Sequence, residues 1–298
     1  MRRKPSNWRL LSRYTWFIPG IGESIILLLF LLLGAAVGSL ITLAFTAMMG
    51  AEAGNEYSML LSYPVMFIPA MIYAAGKSSR MSMDHKGLLL DNTKHFSPLG
   101  AVLCAVLAIV STLAMSFVAD ASGSILPAMP EWLQEALESM TKGELWVDLL
   151  CVSIFAPFFE EWLCRGTVLR GLLGKGMKPA WAIIISAAFF AIIHANPWQA
   201  VPAFLLGCLF GYVYWKTGSL KLTMLMHCTN NTFAVILSNI DALSEMETWR
   251  DLITGPEYWV ILIACVMITA LSVLAFNKIP VQDEGYNCDS VPSIFEQE

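Results

Sequence analysis

The sequence predicts an all-α, polytopic membrane protein built as a bundle of about eight transmembrane helices. Of its 298 residues, 57% are hydrophobic and only 14% are charged. The mean hydropathy is +0.63, which is too apolar for an ordinary soluble domain. Apolar runs also recur with the roughly 20 residues that a helix needs to cross about 30 Å of hydrocarbon.

These apolar runs define the predicted spans in chain order. They lie at residues 22–48, 57–76, 97–119, 146–170, 179–196, 198–215, 220–240 and 257–277. The fourth is the least regular, because it contains a stretch with two adjacent carboxylates and an arginine.

Three parts follow from these spans. We expect a cytoplasmic N-terminal segment at 1–21, a membrane domain at 22–278 and a disordered cytoplasmic tail at 279–298. The tail is predicted to be disordered because it is polar, acidic and short of aliphatic residues.

The positions of the basic residues support this topology, since short cytoplasmic loops are enriched in Lys and Arg. With eight spans and a cytoplasmic N-terminus, only Lys142 and Arg250 of the 18 Lys and Arg residues fall outside. Removing the fourth span would place the later basic loops on the outer side. We therefore predict that the fourth segment spans the membrane and that both termini are cytoplasmic.

The fourth span contains the stretch APFFEEWLCRG, whose charged residues have different helical neighbours. Glu161 and Arg165 are four residues apart, so they share a helix face and can form an ion pair. Glu160 points about 100° away at 3.6 residues per turn and has no such partner. Pro157, just upstream, removes a backbone hydrogen bond and can kink the helix. The spacing explains one carboxylate but leaves Glu160 as a functional candidate.

Two later spans carry polar residues at membrane depth, where ionisable groups are costly and usually functional. The fifth span ends with FAIIH, which contains Phe190 and His194, and the seventh contains HCTNN, in which His227 and Asn231 share a face. Each residue alone could be structural, as an ion pair or a hydrogen bond between helices. Together, a glutamate, two histidines and an asparagine supply a general base and hydrogen-bond donors, which amide hydrolysis requires.

In this order, EEWLCR, FAIIH and HCTNN resemble the EExxxR, FxxxH and HxxxN motifs of the CPBP family of intramembrane glutamic proteases. This family includes the Rce1-type CAAX prenyl endopeptidases. The resemblance covers about residues 146–240, which would form the protease core.

The resemblance implies a role for each matching residue. Glu160 and His194 would activate water for attack on the scissile carbonyl, and His227 and Asn231 would stabilise the oxyanion. Glu161 and Arg165 match supporting positions.

The resemblance also implies a class of partner. The substrate would be a membrane-associated protein or peptide, cleaved within a lipid bilayer that we expect to be a bacterial plasma membrane. No cofactor, metal or nucleic acid is expected.

Two other classes of function fit the same residues. A zinc protease would use His194, His227 and a glutamate as ligands, because imidazole and carboxylate both suit zinc. A non-catalytic immunity factor, scaffold or transporter would use the polar cluster for binding.

Overall fold

The computed structural model describes residues 10–92, 96–123, 126–134, 144–240, 248–281 and 286–296. Its helices, in chain order, are α1 (Ile21–Met49), α2 (Ala51–Met81), α3 (Ala101–Gly123), α4 (Leu145–Leu150), α5 (Ala156–Leu163), α6 (Arg170–Gly174), α7 (Pro179–Ile192), α8 (Pro197–Thr217), α9 (Leu220–Ser238), α10 (Trp249–Leu252) and α11 (Glu257–Asn277). Two short strands, β1 (Gly87–Leu88) and β2 (Ser290–Val291), pair antiparallel. The all-α class is confirmed, since 77% of the structure is helical.

Within the described residues, α1, α2, α3 and α11 are long and apolar enough to cross a membrane. These helices indicate an integral membrane protein. The other four predicted spans correspond to the broken helix α4–α6 and to α7, α8 and α9, which pack together. Helix α7 has 14 residues and is about 21 Å long, so it is shorter than the hydrocarbon core.

Helices α1 and α2 form a closely packed hairpin. A Cβ atom on Gly34 would lie 1.9 Å from the Met66 carbonyl oxygen, and one on Gly38 would lie 2.9 Å from the Ser62 carbonyl oxygen. Larger side chains would therefore push the helices apart, as expected for small residues spaced four apart at a membrane helix contact.

The broken helix carries the two adjacent glutamates. Helix α5 lies between two π-helical segments, Cys151–Phe155 and Cys164–Leu169. The first segment ends where the Ala156 N–H donates to the Cys151 carbonyl, directly before Pro157. Proline has no N–H to donate, so a regular α-helix would lose a hydrogen bond at Pro157. The wider π-helical turn ends just before this residue, so the missing hydrogen bond falls at the start of α5.

Arg170 connects the N-terminal segment to this core. The side chain is fully buried, and its five N–H groups donate to five carbonyl oxygens at 2.6–3.2 Å, those of Tyr14, Thr15, Phe17, Leu88 and Gly166. Every donor of the guanidinium therefore has an acceptor. The arginine ties three separate stretches of chain to one end of the bundle.

The C-terminal tail differs from its predicted disorder over residues 286–296. Tyr286, Asn287 and Cys288 are buried, and the Cys288 thiol donates to the Leu89 carbonyl at 2.7 Å. Gly218 has φ +66°, and a Cβ there would lie 1.8 Å from the Asn287 carbonyl oxygen. The prediction was wrong for these residues, because average composition does not register three buried residues and a two-residue strand within a polar segment.

The two terminal segments therefore meet at the same end of the bundle as the loop that contains β1. A shared end agrees with termini on one side of the membrane. That this side is the cytoplasm, as the basic residues indicate, stays a prediction.

The Arg170 contacts predict a large loss of stability on Arg170→Lys. A lysine ammonium has three donors for five buried carbonyls, so at least two acceptors lose their partners. We expect a loss of about 3 kcal/mol, measured as thermal unfolding of the full chain in detergent. Arg80→Lys, at an exposed position on α2, is the matched control and should unfold like the wild type. Equal melting temperatures for the two variants would contradict this account.

Candidate active site

The predicted ion pair within the fourth span is present. The Arg165 Nη1 atom lies 2.8 Å from Glu161 Oε1, and both side chains are fully buried. Arg165 Nη2 donates to the Gly207 carbonyl at 3.1 Å, and the guanidinium carbon lies 4.5 Å from the Phe190 ring centroid. The arginine is therefore held by a carboxylate, a carbonyl and an aromatic face.

His227 on α9 contacts both adjacent glutamates. Its Nδ1 atom lies 3.0 Å from Glu161 Oε1, and its Nε2 atom lies 3.9 Å from Glu160 Oε2. A carboxylate oxygen accepts hydrogen bonds, so Nδ1 carries a hydrogen here. Nε2 is left facing the second carboxylate.

Glu160 has no partner on its own helix, as predicted, but it has one on α2. The Tyr63 hydroxyl donates a hydrogen bond to Glu160 Oε1. The other oxygen, Oε2, has no hydrogen-bond partner among the described residues. The two oxygens of this carboxylate are thus in different environments.

The four charged groups balance when His227 is doubly protonated. Glu160 and Glu161 then carry two negative charges, and Arg165 and His227 carry two positive charges. Glu161 and Arg165 are fully buried, and Glu160 and His227 have 8% and 4% of their surface exposed. Charges at this burial are costly unless they are paired, and here the two carboxylates lie beside the two groups that can carry positive charge.

His194 lies in the turn between α7 and α8. Its Nδ1 atom is 2.7 Å from the Phe190 carbonyl oxygen. A carbonyl only accepts, so Nδ1 carries the hydrogen and a neutral ring has its lone pair on Nε2. The backbone is held by Asn196, whose amide donates to the His194 carbonyl at 2.9 Å. Between them, Ala195 has φ 57°, a strained conformation that is often found at functional sites.

Phe190 lies beside both histidines. Its ring centroid is 5.0 Å from that of His194 and 5.4 Å from that of His227, with nearly perpendicular planes. Among the described residues, no hydrogen bond or ion pair joins His194 to Glu160. The structure therefore joins His227, Glu160, Glu161 and Arg165 directly and connects His194 to them through Phe190.

Asn231 is held by a chain of polar side chains. Its amide donates to the Val152 carbonyl at 2.8 Å, in the first π-helical segment. Its side-chain oxygen accepts from Asn230 at 3.0 Å, and the Asn230 oxygen accepts from the Ser116 hydroxyl at 2.6 Å. These contacts fix the orientation of the Asn231 amide and leave its second amide hydrogen for another acceptor.

Sequence reasoning missed Tyr63, Asn230 and Ser116. Tyr63 is one of three tyrosines in α2, and no spacing distinguishes it from Tyr57 or Tyr73. Asn230 could have been suspected from its position beside Asn231, but its partner lies on α3, 114 residues away in the sequence.

A cavity of about 810 Å³ lies between the C-terminal end of α9, the N-terminal end of α8 and the C-terminal end of α3. Asn230 and Ser116 line it, together with Trp198 and Trp249, whereas Glu160 and His194 do not. The cavity therefore borders Asn230, which orients Asn231, but none of the four proposed catalytic side chains lines it.

Within the described part of the chain, no three His, Cys, Asp or Glu side chains form a group that could hold a metal ion. The zinc alternative required His194 and His227 to share an ion with a glutamate. The Nδ1 atom of His194 contacts a carbonyl and that of His227 contacts a carboxylate, so Nε2 of each ring is the atom that such an ion would bind.

The buried Glu161–Arg165 pair predicts a stability defect on Glu161→Gln. This change leaves the Arg165 charge buried without its carboxylate, and breaking such a pair from one side costs about 3–5 kcal/mol. The double variant Glu161→Gln with Arg165→Met removes both charges and should recover much of that stability. Folded yield and melting temperature in detergent measure both effects. A double variant that is no more stable than Glu161→Gln would refute this prediction.

Comparison with known proteins gives one family match. Residues 142–233 match the model of the family described as "Type II CAAX prenyl endopeptidase Rce1-like". No curated protein and no solved structure matches the chain. The matched segment contains all six residues that the motifs pointed to, and it begins after α1, α2 and α3. The match confirms the resemblance indicated by the three motifs: residues 142–233 are similar to the Rce1-like family of type II CAAX prenyl endopeptidases.

Proposed function

We propose that this protein is an intramembrane endopeptidase in which Glu160 and His194 activate water and His227 and Asn231 stabilise the oxyanion. The family is one of endopeptidases, which supports peptide hydrolysis. The observation that carries the mechanism is the pair of Glu160 Oε2 and His227 Nε2, 3.9 Å apart in a charge-balanced, buried cluster.

The hydrogen-bond partners of the two histidines favour different roles. His194 donates from Nδ1 to a carbonyl, so Nε2 of the neutral ring is an acceptor and can assist a base. Both ring nitrogens of His227 face carboxylate oxygens, which accept hydrogen bonds, so we assign the role of donor to its Nε2. An oxyanion needs donors, and this fits His227 and the second amide hydrogen of Asn231.

The proposed reaction has two proton transfers. His194 Nε2 accepts a hydrogen bond from the water and orients it, and Glu160 Oε2 takes the other proton of that water. The water oxygen bonds to the scissile carbonyl carbon at the same time, and the negative charge moves to the carbonyl oxygen beside His227. The protonated Glu160 then gives its proton to the amide nitrogen as the C–N bond breaks. The products are a carboxylic acid and an amine, and Glu160 returns to its carboxylate form.

The proposed substrate is a protein or peptide bound to the membrane. A peptide bond at this depth must be presented in an unwound segment, because a helix hides its carbonyls. The family description makes a prenylated CaaX peptide the first substrate to test, with the same peptide lacking the lipid beside it.

Glu160→Gln should abolish cleavage and leave the protein folded, because an amide cannot take a proton from water. We would measure turnover of a quenched fluorescent, prenylated CaaX peptide by the full chain in detergent, and membrane peptides of cells that carry either form. Asp148→Asn is the matched control, because Asp148 is a buried carboxylate in the same broken helix. It should keep wild-type turnover. Substantial cleavage by Glu160→Gln would overturn the proposal and would favour a non-catalytic binding protein.

A chelator separates this mechanism from a zinc protease. Turnover should be unchanged after prolonged treatment with a strong chelator, because no step of the proposed reaction uses a metal. Loss of turnover that returns on addition of Zn²⁺ would instead support the zinc mechanism.

A further inference from the structure

We propose that Tyr63 on α2 is a positioning residue that directs Glu160 and selects Oε2 as the oxygen that takes the proton from water. This inference rests on the proposed function. It adds to the site a residue from outside the segment that matches the family model, which begins at residue 142.

The contacts of Glu160 distinguish its two oxygens. The Tyr63 hydroxyl donates to Oε1, so one lone pair of that oxygen is occupied. Oε2 has no hydrogen-bond partner among the described residues and lies 3.9 Å from His227 Nε2. A water that contacts Oε2 therefore also lies next to the donor proposed for the oxyanion. Tyr63 holds the carboxylate so that the unoccupied oxygen faces this position.

The Tyr63 side chain is itself fixed by aromatic packing. Its ring centroid lies 5.7 Å from that of Phe67, one turn further along α2. Phe67 in turn stacks on Phe159 with centroids 5.1 Å apart and planes 14° from parallel. Phe159 directly precedes Glu160 in the sequence. The tyrosine and the glutamate are thus aligned by a stack that joins α2 to α5.

The position of α2 depends on α1. The contacts of Gly34 with Met66 and of Gly38 with Ser62 lie on either side of Tyr63 along α2. These contacts hold the backbone of α2 against α1 at the level of the tyrosine. Residues 21–81, which form this hairpin, therefore contribute to the geometry of the catalytic carboxylate.

Tyr63→Phe tests the role, because it removes only the hydroxyl and keeps the ring in its stack. We expect kcat on the prenylated CaaX peptide to fall roughly 10- to 100-fold, the range for misplacing a catalytic group. KM should stay within about twofold, since the hydroxyl contacts Glu160 and not the substrate. A purely structural tyrosine would lower the folded yield without changing kcat per folded molecule.

Tyr73→Phe is the matched control on the same helix. The Tyr73 hydroxyl has no hydrogen-bond partner among the described residues, and its ring stacks on Phe30. This variant loses the same atom and should keep wild-type kcat and KM.

A melting-temperature cycle tests the hydrogen bond without relying on activity. Tyr63→Phe should lower the melting temperature in the wild-type background and leave it unchanged in a Glu160→Ala background. Two results would overturn the inference. One is an equal shift in melting temperature in both backgrounds, and the other is wild-type kcat for Tyr63→Phe when Glu160→Gln is inactive. Full activity of Glu160→Gln would overturn the proposed function first, and the catalytic role of Tyr63 with it.

Discussion

The burial of the Arg165 guanidinium is the constraint on which the site depends. An isolated cation at this depth would be strongly destabilising, and the Glu161 carboxylate 2.8 Å away offsets this cost. Glu161 in turn fixes the hydrogen on His227 Nδ1. The other ring nitrogen of His227, Nε2, therefore faces Glu160. The second carboxylate thus belongs to the same cluster of charged groups. One arginine thus determines the charge and orientation of three neighbouring side chains.

The local part of this arrangement could be predicted from the sequence. A separation of four residues places Glu161 beside Arg165 in any helix, and the contact persists although Arg165 lies in a π-helical segment. The motifs also indicated that His194, His227 and Asn231 belong to one site. They did not indicate that His227 contacts Glu160 directly, whereas His194 contacts Phe190, because this depends on how α9 and the α7–α8 turn pack.

The long-range contacts could not be predicted. Tyr63 lies 97 residues before Glu160, and an isolated tyrosine in an apolar helix carries no periodic signal. The same holds for Arg170, whose five acceptors belong to backbone carbonyls and therefore leave no trace in the side-chain pattern. Eight helical regions could be located, by contrast, because apolar length is a local property. Residues 286–296 fold against distant backbone, which composition does not record.

A charge-balanced cluster also suits hydrolysis in a medium of low dielectric constant. In the proposed reaction, Glu160 loses its negative charge when it takes a proton from water, and an equal charge forms on the substrate oxygen beside His227. The total charge of the site does not change, and the charge moves only a few ångströms between groups that are already oriented. Stabilisation of this kind requires no rearrangement of solvent at the moment of reaction. It does require a fixed Glu160, and for this reason we expect the hydrogen bond that Tyr63 donates from a separate helix to affect the reaction rate.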